Sequence, residues 1–390
     1  MKRLNGRFAP LVLLILLLSA CSTLVFETEP ANESTISRQT SENQPIVRPG
    51  RDEGTPSPEE QLVETDESTD NELINVVEAI ENGDYGNVDS LLVWKDGALH
   101  VDAYFGNSRA DQRHAIFSVT KSITSAAVGI AIAEGHIRSV EAPLAELLPD
   151  YAELDKADKQ AITLEDVLTM RTGLEWDESS VIYGQPGNDA SDMFRSTDWV
   201  SFVLQRKLAD PPGTAFLYNS GNTVLLSAVL QEATGETTET YVAEKIFAPL
   251  EITDWQWEKT RGGLSNTGWG LHLLPQDMLK LGILFLQNGQ WNDQQVIPAD
   301  WVATSTAGHL TAGETTNYGY QWWRFQEDSH WLEALPDKNI FFAWGFGGNF
   351  IWVAPEENAV IVATGENFSD STQIFAALET AVFPWLANSP

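Results

Sequence analysis

One serine and one lysine stand three residues apart at the start of a long apolar stretch. Ser118 and Lys121 lie in HAIFSVTKSITSAAVGIAIAEGHI, residues 114–137, which predicts a helix over 119–134 closed by Gly135. Residues i and i+3 share a helix face, so the Lys121 amine can reach the Ser118 hydroxyl. Burial lowers the pKa of a lysine, and a neutral amine can activate a serine nucleophile. The pair predicts nucleophilic catalysis; an N-cap serine beside a snorkelling lysine is the structural alternative.

Other catalytic motifs are absent from the sequence. It contains no G-x-S-x-G, no H-E-x-x-H, no Cys/His cluster and no G-x-x-x-x-G-K-[ST]. These absences count against an α/β-hydrolase, a zinc enzyme and a nucleotide-binding protein. The net charge of −33 counts against nucleic acid, whose phosphates require clustered Lys and Arg. We therefore expect no metal, no cofactor and no nucleic-acid partner.

The N-terminus has the features of a secretory signal. Residues 1–20 combine a basic start, an apolar core and small final residues. The apolar core is shorter than the ~20 residues of a spanning helix. The tetrapeptide LSAC, which ends at Cys21, resembles a bacterial lipobox, in which the cysteine becomes the lipidated first residue. Cys21 is the only cysteine of the chain, and an ordinary signal peptide is the alternative.

The segment after Cys21 is strongly acidic. Residues 22–72 hold 13 acidic and 3 basic side chains and are rich in Ser, Thr and Pro. Such a segment cannot bury enough apolar surface to fold. We expect a lipidated cysteine and disordered linker over 21–72, followed by a folded domain over 73–390. The protein would then be a membrane-anchored lipoprotein of the cell envelope, facing the periplasm or the extracellular side.

The sequence of the folded part predicts strands at both ends and helices between them. Two alternating segments, 90–106 and 349–365, each surround a turn and predict hairpins. Helical patterns lie between them, including 223–235 and 274–289, each with a glycine at its end. We predict an α/β (α+β) fold, in which an antiparallel sheet is flanked by helices and an all-helical subdomain is inserted.

Several segments together resemble the serine β-lactamase and penicillin-binding protein superfamily, especially its class C and esterase-like branch. The segments, in chain order, are IFSVTKSITSAAVGIAIAEG (116–135), GLEWDE (173–178), PPGTAFLYNSGNTVLLSAVLQEATG (211–235), GWGLHLLPQDMLKLG (268–282) and FFAWGFGGNFIWVAPEENAVIVATG (341–365). The first holds the active serine of that superfamily. The third holds its tyrosine, followed two residues later by a polar residue, and the last is its glycine-rich strand.

Two departures refine this resemblance. Class C enzymes show Y-x-N where this chain has Tyr218-Asn219-Ser220, and K-T-G where it has Ala343-Trp344-Gly345. No basic residue lies between Asn339 and the chain end, so the usual anchor for a substrate carboxylate is missing. YNS with GFGGN looks closer to 6-aminohexanoate-dimer hydrolase and carboxylesterase relatives, which act on small esters and amides.

The resemblance implies a role for each site residue. Ser118 is the nucleophile, Lys121 and Tyr218 share its proton, and Ser220 or Asn219 completes the polar network. The Ser118 N–H and the N–H of Phe346 form the oxyanion hole. Gly345, with Gly347 and Gly348, lets the strand approach the substrate closely. Tyr183, in the polar loop after GLEWDE, is a candidate substrate contact, whereas a core tyrosine and a simple bulge are the structural alternatives for Tyr218 and the glycines.

These observations predict a metal-independent serine hydrolase that cleaves small esters or amides through an acyl-serine. One alternative is a penicillin-binding D,D-peptidase or β-lactamase. A second is a catalytically inactive binding lipoprotein with the same fold. The expected partners are a small-molecule substrate and the membrane through the lipid anchor, and the sequence does not indicate an oligomeric state.

Overall fold

The computed structural model of the chain describes residues 67–335 and 339–389, with side chains described from residue 71. The predicted signal peptide, Cys21 and most of the predicted linker lie outside these residues. Within the described residues, no helix is both long enough and apolar enough to cross a lipid bilayer.

The first helix, α1 (Glu67–Glu81), crosses the domain boundary that the sequence predicts at residue 73. Its apolar residues Leu73, Val76 and Ile80 are spaced for one helix face and are buried. Helix α1 begins at Glu67, within the acidic sequence for which a linker is predicted. Acidic composition near residue 70 is therefore compatible with helix.

Twelve α-helices are present in the described part of the chain. They are α1 (Glu67–Glu81), α2 (Val119–Ala133), α3 (Leu144–Leu147), α4 (Leu164–Leu168), α5 (Asp189–Arg195), α6 (Trp199–Leu204), α7 (Ser220–Thr234), α8 (Thr238–Val242), α9 (Pro275–Leu286), α10 (Ala299–Ser305), α11 (Gln373–Ala377) and α12 (Phe383–Asn388). Short 3-10 turns lie at Ala152–Asp155 and His330–Leu332, and π-helical turns at Ala243–Phe247 and Leu378–Val382.

The strands of the same residues form one large sheet and two small ones. They are β1 (Val88–Lys95), β2 (Ala98–Tyr104), β3 (His114–Ala115), β4 (Gln256–Trp257), β5 (Leu271–Leu273), β6 (Gln290–Trp291), β7 (Gln294–Gln295), β8 (Leu310–Thr311), β9 (Thr316–Tyr318), β10 (Trp323–Phe325), β11 (Phe341–Gly345), β12 (Asn349–Ala354) and β13 (Ala359–Gly365). The large sheet has the order β2-β1-β13-β12-β11-β10-β9-β8, and its neighbours are antiparallel.

The two ends of the domain meet in this sheet. Strand β1 pairs with β13, so that Leu92 lies opposite Val362, and both predicted hairpins, β1–β2 and β12–β13, are present. The structure confirms the predicted fold class, an antiparallel sheet whose strands come from the two terminal portions.

Each face of the sheet covers a separate hydrophobic core. Successive residues of a strand point to opposite faces. Accordingly, Ile351 and Val353 of β12 pack into the core shared with α2 and α9, while Phe350 and Trp352 pack into the core shared with α1, α11 and α12. Helix α2, with Ser118 at its start, packs against β11 and β12 of this sheet.

The helices α3 to α8 lie between β3 and β4 in the chain and form the predicted inserted helical part. Helix α7 is its centre and packs against α2, α4 and α6. Gly235 ends α7 with φ +77°, a left-handed conformation that favours glycine. The packing of α7 on α2 brings the residue pair Tyr218 and Ser220 to the start of α2.

Candidate active site

Ser118 lies immediately before α2, at a sharp change of chain direction. Phe117 before it has φ +47°, a region that non-glycine residues rarely adopt. The Ile116 N–H donates to the Leu271 carbonyl, which fixes the preceding residues on the small sheet. This turn leaves Ser118 partly accessible at the N-terminal end of a buried helix.

Lys121 is 1% exposed, and its ammonium group is fully hydrogen-bonded. Its Nζ donates to Ser118 Oγ at 2.9 Å, to Ser220 Oγ at 3.1 Å and to the Gly268 carbonyl at 2.6 Å. Burial lowers the pKa of Lys121 to about 8, and the negative charge of Glu178 acts in the opposite direction. The ammonium group can therefore lose one proton near neutral pH. Its two remaining N–H groups still have acceptors in the Ser220 hydroxyl and the Gly268 carbonyl.

Tyr218 covers the other side of the lysine. The Lys121 Nζ lies 5.2 Å from the centre of the Tyr218 ring, and Trp323 stacks on that ring at 5.8 Å. Burial raises the pKa of Tyr218, the Glu178 charge raises it further, and its interaction with Ser118 lowers it. Tyr218 is therefore a neutral phenol near pH 7 and can donate a proton.

Helix α7 begins at Ser220, which joins the lysine to a buried carboxylate. Asn219 caps the helix because its side-chain oxygen accepts from the Asn222 N–H at 3.2 Å. Ser220 accepts from Lys121 and donates its hydroxyl to Glu178 Oε1 at 3.0 Å. The Ser220 hydroxyl thus links Lys121 to Glu178 by two hydrogen bonds.

Glu178 is a member of the site that we did not predict. It is 5% exposed, and its Oε2 accepts from the Trp176 indole at 2.7 Å and from the Ser220 N–H at 3.0 Å. Its Oε1 also accepts from the Tyr183 hydroxyl at 3.2 Å. The segment GLEWDE was the available signal. Because the sequence contains 56 acidic residues, nothing in it distinguished the Glu178 carboxylate from the others.

The end of β11 forms the opposite wall. A Cβ on Gly345 would collide with the Ile116 carbonyl oxygen, so the close approach of this strand to Ser118 requires glycine. Among the described residues, neither the Ser118 N–H nor the Phe346 N–H donates a hydrogen bond to another group of the chain. Both groups remain available for a ligand, as an oxyanion hole requires.

The triplet Ala343-Trp344-Gly345 presents no cation at this wall. Ala343 packs into the core on the α2 side, whereas the Trp344 ring packs among aromatic residues on the opposite face of the sheet. The wall that carries K-T-G in class C enzymes is therefore uncharged here.

The structure brings together the predicted residues Ser118, Lys121 and Ser220 by direct hydrogen bonds, with Tyr218 over the lysine. Gly345 and Phe346 close the site from the sheet. Cys21 lies outside the described residues. Tyr183, predicted as a substrate contact, lies between Glu178 and Phe346.

Comparison with known proteins agrees with this arrangement. The Beta-lactamase family model matches residues 84–374, three quarters of the chain. The chain belongs to the β-lactamase family. The 6-aminohexanoate-dimer hydrolase of Paenarthrobacter ureafaciens is 24% identical to this family member over 322 residues, 75% of this chain and 76% of that protein.

Solved structures share the fold of this β-lactamase relative. A family VIII carboxylesterase superposes with a TM-score of 0.64 at 16% identity, over 80% of this chain and 97% of that one. A penicillin-binding protein from Bacillus halodurans superposes with a TM-score of 0.61 at 17% identity, over 79% of this chain and 99% of that one. The predicted superfamily is confirmed, and the chain is a hydrolase of the β-lactamase family. The fold alone does not separate esterases from penicillin-binding proteins.

Proposed function

We propose that the protein hydrolyses small esters or amides through an acyl intermediate on Ser118. The observation that carries this proposal is the 2.9 Å hydrogen bond between Lys121 Nζ and Ser118 Oγ, at an amine whose pKa is lowered to about 8. A serine needs such a base to become a nucleophile.

In the first half of the reaction, neutral Lys121 takes the Ser118 proton while Oγ bonds to the substrate carbonyl carbon. The carbonyl oxygen becomes negative and is bound by the N–H groups of Ser118 and Phe346. Tyr218 or protonated Lys121 then donates a proton to the departing oxygen or nitrogen, whose bond to the carbonyl carbon breaks. In the second half, water adds to the acyl carbon and loses a proton to Lys121, which is neutral again because its first proton has passed to the leaving atom, directly or through Tyr218. Ser118 Oγ takes the new proton as its bond to the acyl carbon breaks, and a carboxylic acid leaves.

The uncharged wall at β11 favours an ester or amide over a β-lactam or a peptide carboxylate. Such anionic substrates gain much from a cation beside the strand, and Ala343 and Trp344 supply none. The relative named for 6-aminohexanoate dimers and the carboxylesterase with the same fold support this choice.

Intact-mass detection of covalent adducts tests the proposal. The purified protein and its Ser118→Ala variant would each be incubated with a fluorophosphonate and, separately, with a penicillin. We expect a fluorophosphonate adduct on the wild type, none on the variant, and turnover of p-nitrophenyl acetate. A stable penicilloyl adduct on Ser118 would instead favour the penicillin-binding alternative. No adduct and no turnover from a folded protein would favour the inactive binding protein.

We also propose that Cys21 carries a lipid that holds the enzyme at the cell envelope, on the periplasmic or extracellular side. The sequence LSAC after an apolar segment supports this localisation. Incorporation of a labelled fatty acid that disappears in Cys21→Ser is the expected result. Equal labelling of both proteins, or none of either, would contradict it.

A further inference from the structure

Three phenylalanine rings meet beside Ser118. Phe117 contacts Phe346 and Phe368 edge to face, at centroid distances of 5.8 Å and 5.9 Å, and the Phe346 and Phe368 rings lie tilted at 30° with centroids 5.2 Å apart. Each ring thus contacts both others. We call Phe117, Phe346 and Phe368 the phenylalanine trio.

The trio surrounds the two free N–H groups of the site. Phe117 immediately precedes Ser118 in the chain, and Phe346 itself carries the second N–H. Phe368 lies against the β11–β12 turn, where a Cβ on Gly347 would come within 3.0 Å of its ring. The loop that carries Phe368 is tied to this turn, because the Asn367 N–H donates to the Gly347 carbonyl at 2.8 Å. A carbonyl bound by these N–H groups therefore lies next to three apolar rings.

The trio is continuous with an exposed apolar surface. Phe368 is 42% exposed, and Tyr183, whose ring contacts Phe346 at 5.2 Å, is 40% exposed. Ile182 beside Tyr183 is exposed as well. Contiguous exposed apolar surface usually marks a binding site. Its position at the oxyanion residues indicates that the ligand is part of the substrate.

Charge in the segments that carry Phe346 and Phe368 disfavours an anionic ligand. From Asn339 to the chain end the sequence contains no Lys, Arg or His, and the segment after β13 adds Glu366 and Asp370 close to Phe368. Lys121, the cation of the site, has its ammonium group occupied by three acceptors. A substrate carboxylate placed at the trio would lose water and gain no cation from those segments or from Lys121.

The position of the phenylalanine trio relative to Tyr218 and Lys121 also indicates which part of the substrate the trio contacts. The leaving atom must receive a proton, so it faces Tyr218 and Lys121. Among the described rings that contact Tyr218 are Tyr318 and Trp323, and none belongs to the trio. The acyl substituent therefore points to the trio.

We propose that the phenylalanine trio, with Tyr183, binds an uncharged apolar acyl group, and that the enzyme discriminates against acyl groups that end in a carboxylate. This inference rests on the proposed acyl-Ser118 chemistry. Each methylene buried against the trio raises kcat/KM up to roughly fourfold, as expected from apolar transfer.

The test compares p-nitrophenyl acetate, butyrate and hexanoate with the p-nitrophenyl monoester of glutaric acid. We expect kcat/KM to rise at least tenfold from acetate to hexanoate, and the glutarate monoester to react at least tenfold more slowly than the butyrate. In Phe368→Ala the hexanoate-to-acetate ratio falls, and in Phe368→Lys the ratio of glutarate monoester to butyrate rises. Phe194→Ala is the matched control, because Phe194 is 52% exposed and contacts Trp199 outside the trio; it keeps both ratios.

A flat chain-length profile would overturn the inference, as would a preference for the glutarate monoester. Rates that depend on added phosphatidylglycerol vesicles rather than on chain length would show that the surface binds lipid instead. Fluorophosphonate labelling of Ser118 separates the two proposals. A labelled, active enzyme with a flat profile refutes only the acyl-group inference, whereas an unlabelled, inactive enzyme refutes both. The rates of the wild-type protein with the four p-nitrophenyl esters test the inference even if a Phe368 variant does not fold.

Discussion

Lys121 and Lys159 are the most deeply buried lysines of the described residues, and only Lys121 belongs to the candidate active site. Lys121 is 1% exposed and Lys159 is 2% exposed. Burial lowers the pKa of both, and the nearby charge of Lys156 adds to the effect at Lys159. Burial and a lowered pKa therefore do not distinguish them.

The hydrogen-bond partners of Lys121 and Lys159 distinguish the two lysines. Lys159 donates to the backbone carbonyls of Leu204 and Arg206, which end helix α6. Carbonyl oxygens accept hydrogen bonds but cannot give up a proton. Lys121 donates to one carbonyl and to the hydroxyls of Ser118 and Ser220, which can exchange protons. The comparison teaches that a buried lysine becomes a candidate base through its partners.

The largest expected effect comes from replacing each lysine by methionine. Lys121→Met lowers kcat/KM for p-nitrophenyl acetate by about 1,000-fold, because the proton acceptor is lost. Lys159→Met leaves kcat/KM within about twofold but lowers the free energy of unfolding by about 1–3 kcal/mol, since buried carbonyls lose their donor. Steady-state kinetics and urea unfolding of both variants measure the two effects. Similar losses of activity in both would show that burial, not partners, makes these lysines important.

A smaller effect is expected at the hydroxyl that joins Lys121 to Glu178. Ser220→Ala leaves one Lys121 N–H without an acceptor and removes one of the two hydroxyl donors to Glu178 Oε1, and we expect kcat/KM to fall about tenfold. Ser227→Ala on the same helix is the matched control, because its hydroxyl contacts Thr238 and lies away from the lysine. An unchanged rate for Ser220→Ala would remove this serine from the proton network.

The smallest effect is a shift in pH dependence. The proposed mechanism requires neutral Lys121, so we expect kcat/KM to rise with pH and to level off above about 8. The charge of Glu178 raises the pKa of Lys121; Glu178→Gln therefore moves the rise to lower pH, by about one unit. A pH–rate profile on an uncharged ester measures it. Glu165→Gln, whose carboxylate binds the Tyr320 hydroxyl elsewhere, keeps the wild-type profile. A shift to higher pH in Glu178→Gln would contradict the assignment of Lys121 as the base.

Much of the fold was predictable because its signals are local. The alternation on either side of Lys95-Asp96-Gly97 produced the β1–β2 hairpin, and the apolar run after Ser118 produced α2. The predicted domain boundary at residue 73 lies inside α1, which begins at Glu67 within the acidic sequence that suggested disorder.

Gln321 shows what local reasoning could not find. It has φ +64° and is buried, and its side-chain and backbone atoms bind Ser122 of α2, Thr223 of α7 and Leu168 of α4. It thereby joins the three helices that surround the site. A glutamine in a loop has no sequence pattern that indicates such a position.

The sequence by itself determined the Ser118–Lys121 pair, because a spacing of three places two residues on one helix face wherever the helix lies. It also determined the order of hairpins and helices, which periodicity and turn residues specify locally. Only the tertiary structure decided that Glu178, Ser220 and the Gly268 carbonyl surround Lys121 while Lys159 meets carbonyls alone. Those groups lie tens of residues from Lys159 and from tens to more than a hundred residues from Lys121 in the chain, and tertiary packing, including that of α7 on α2, brings them to the lysines. Local patterns place a residue on its own element, whereas its chemistry depends on the groups that packing places around it.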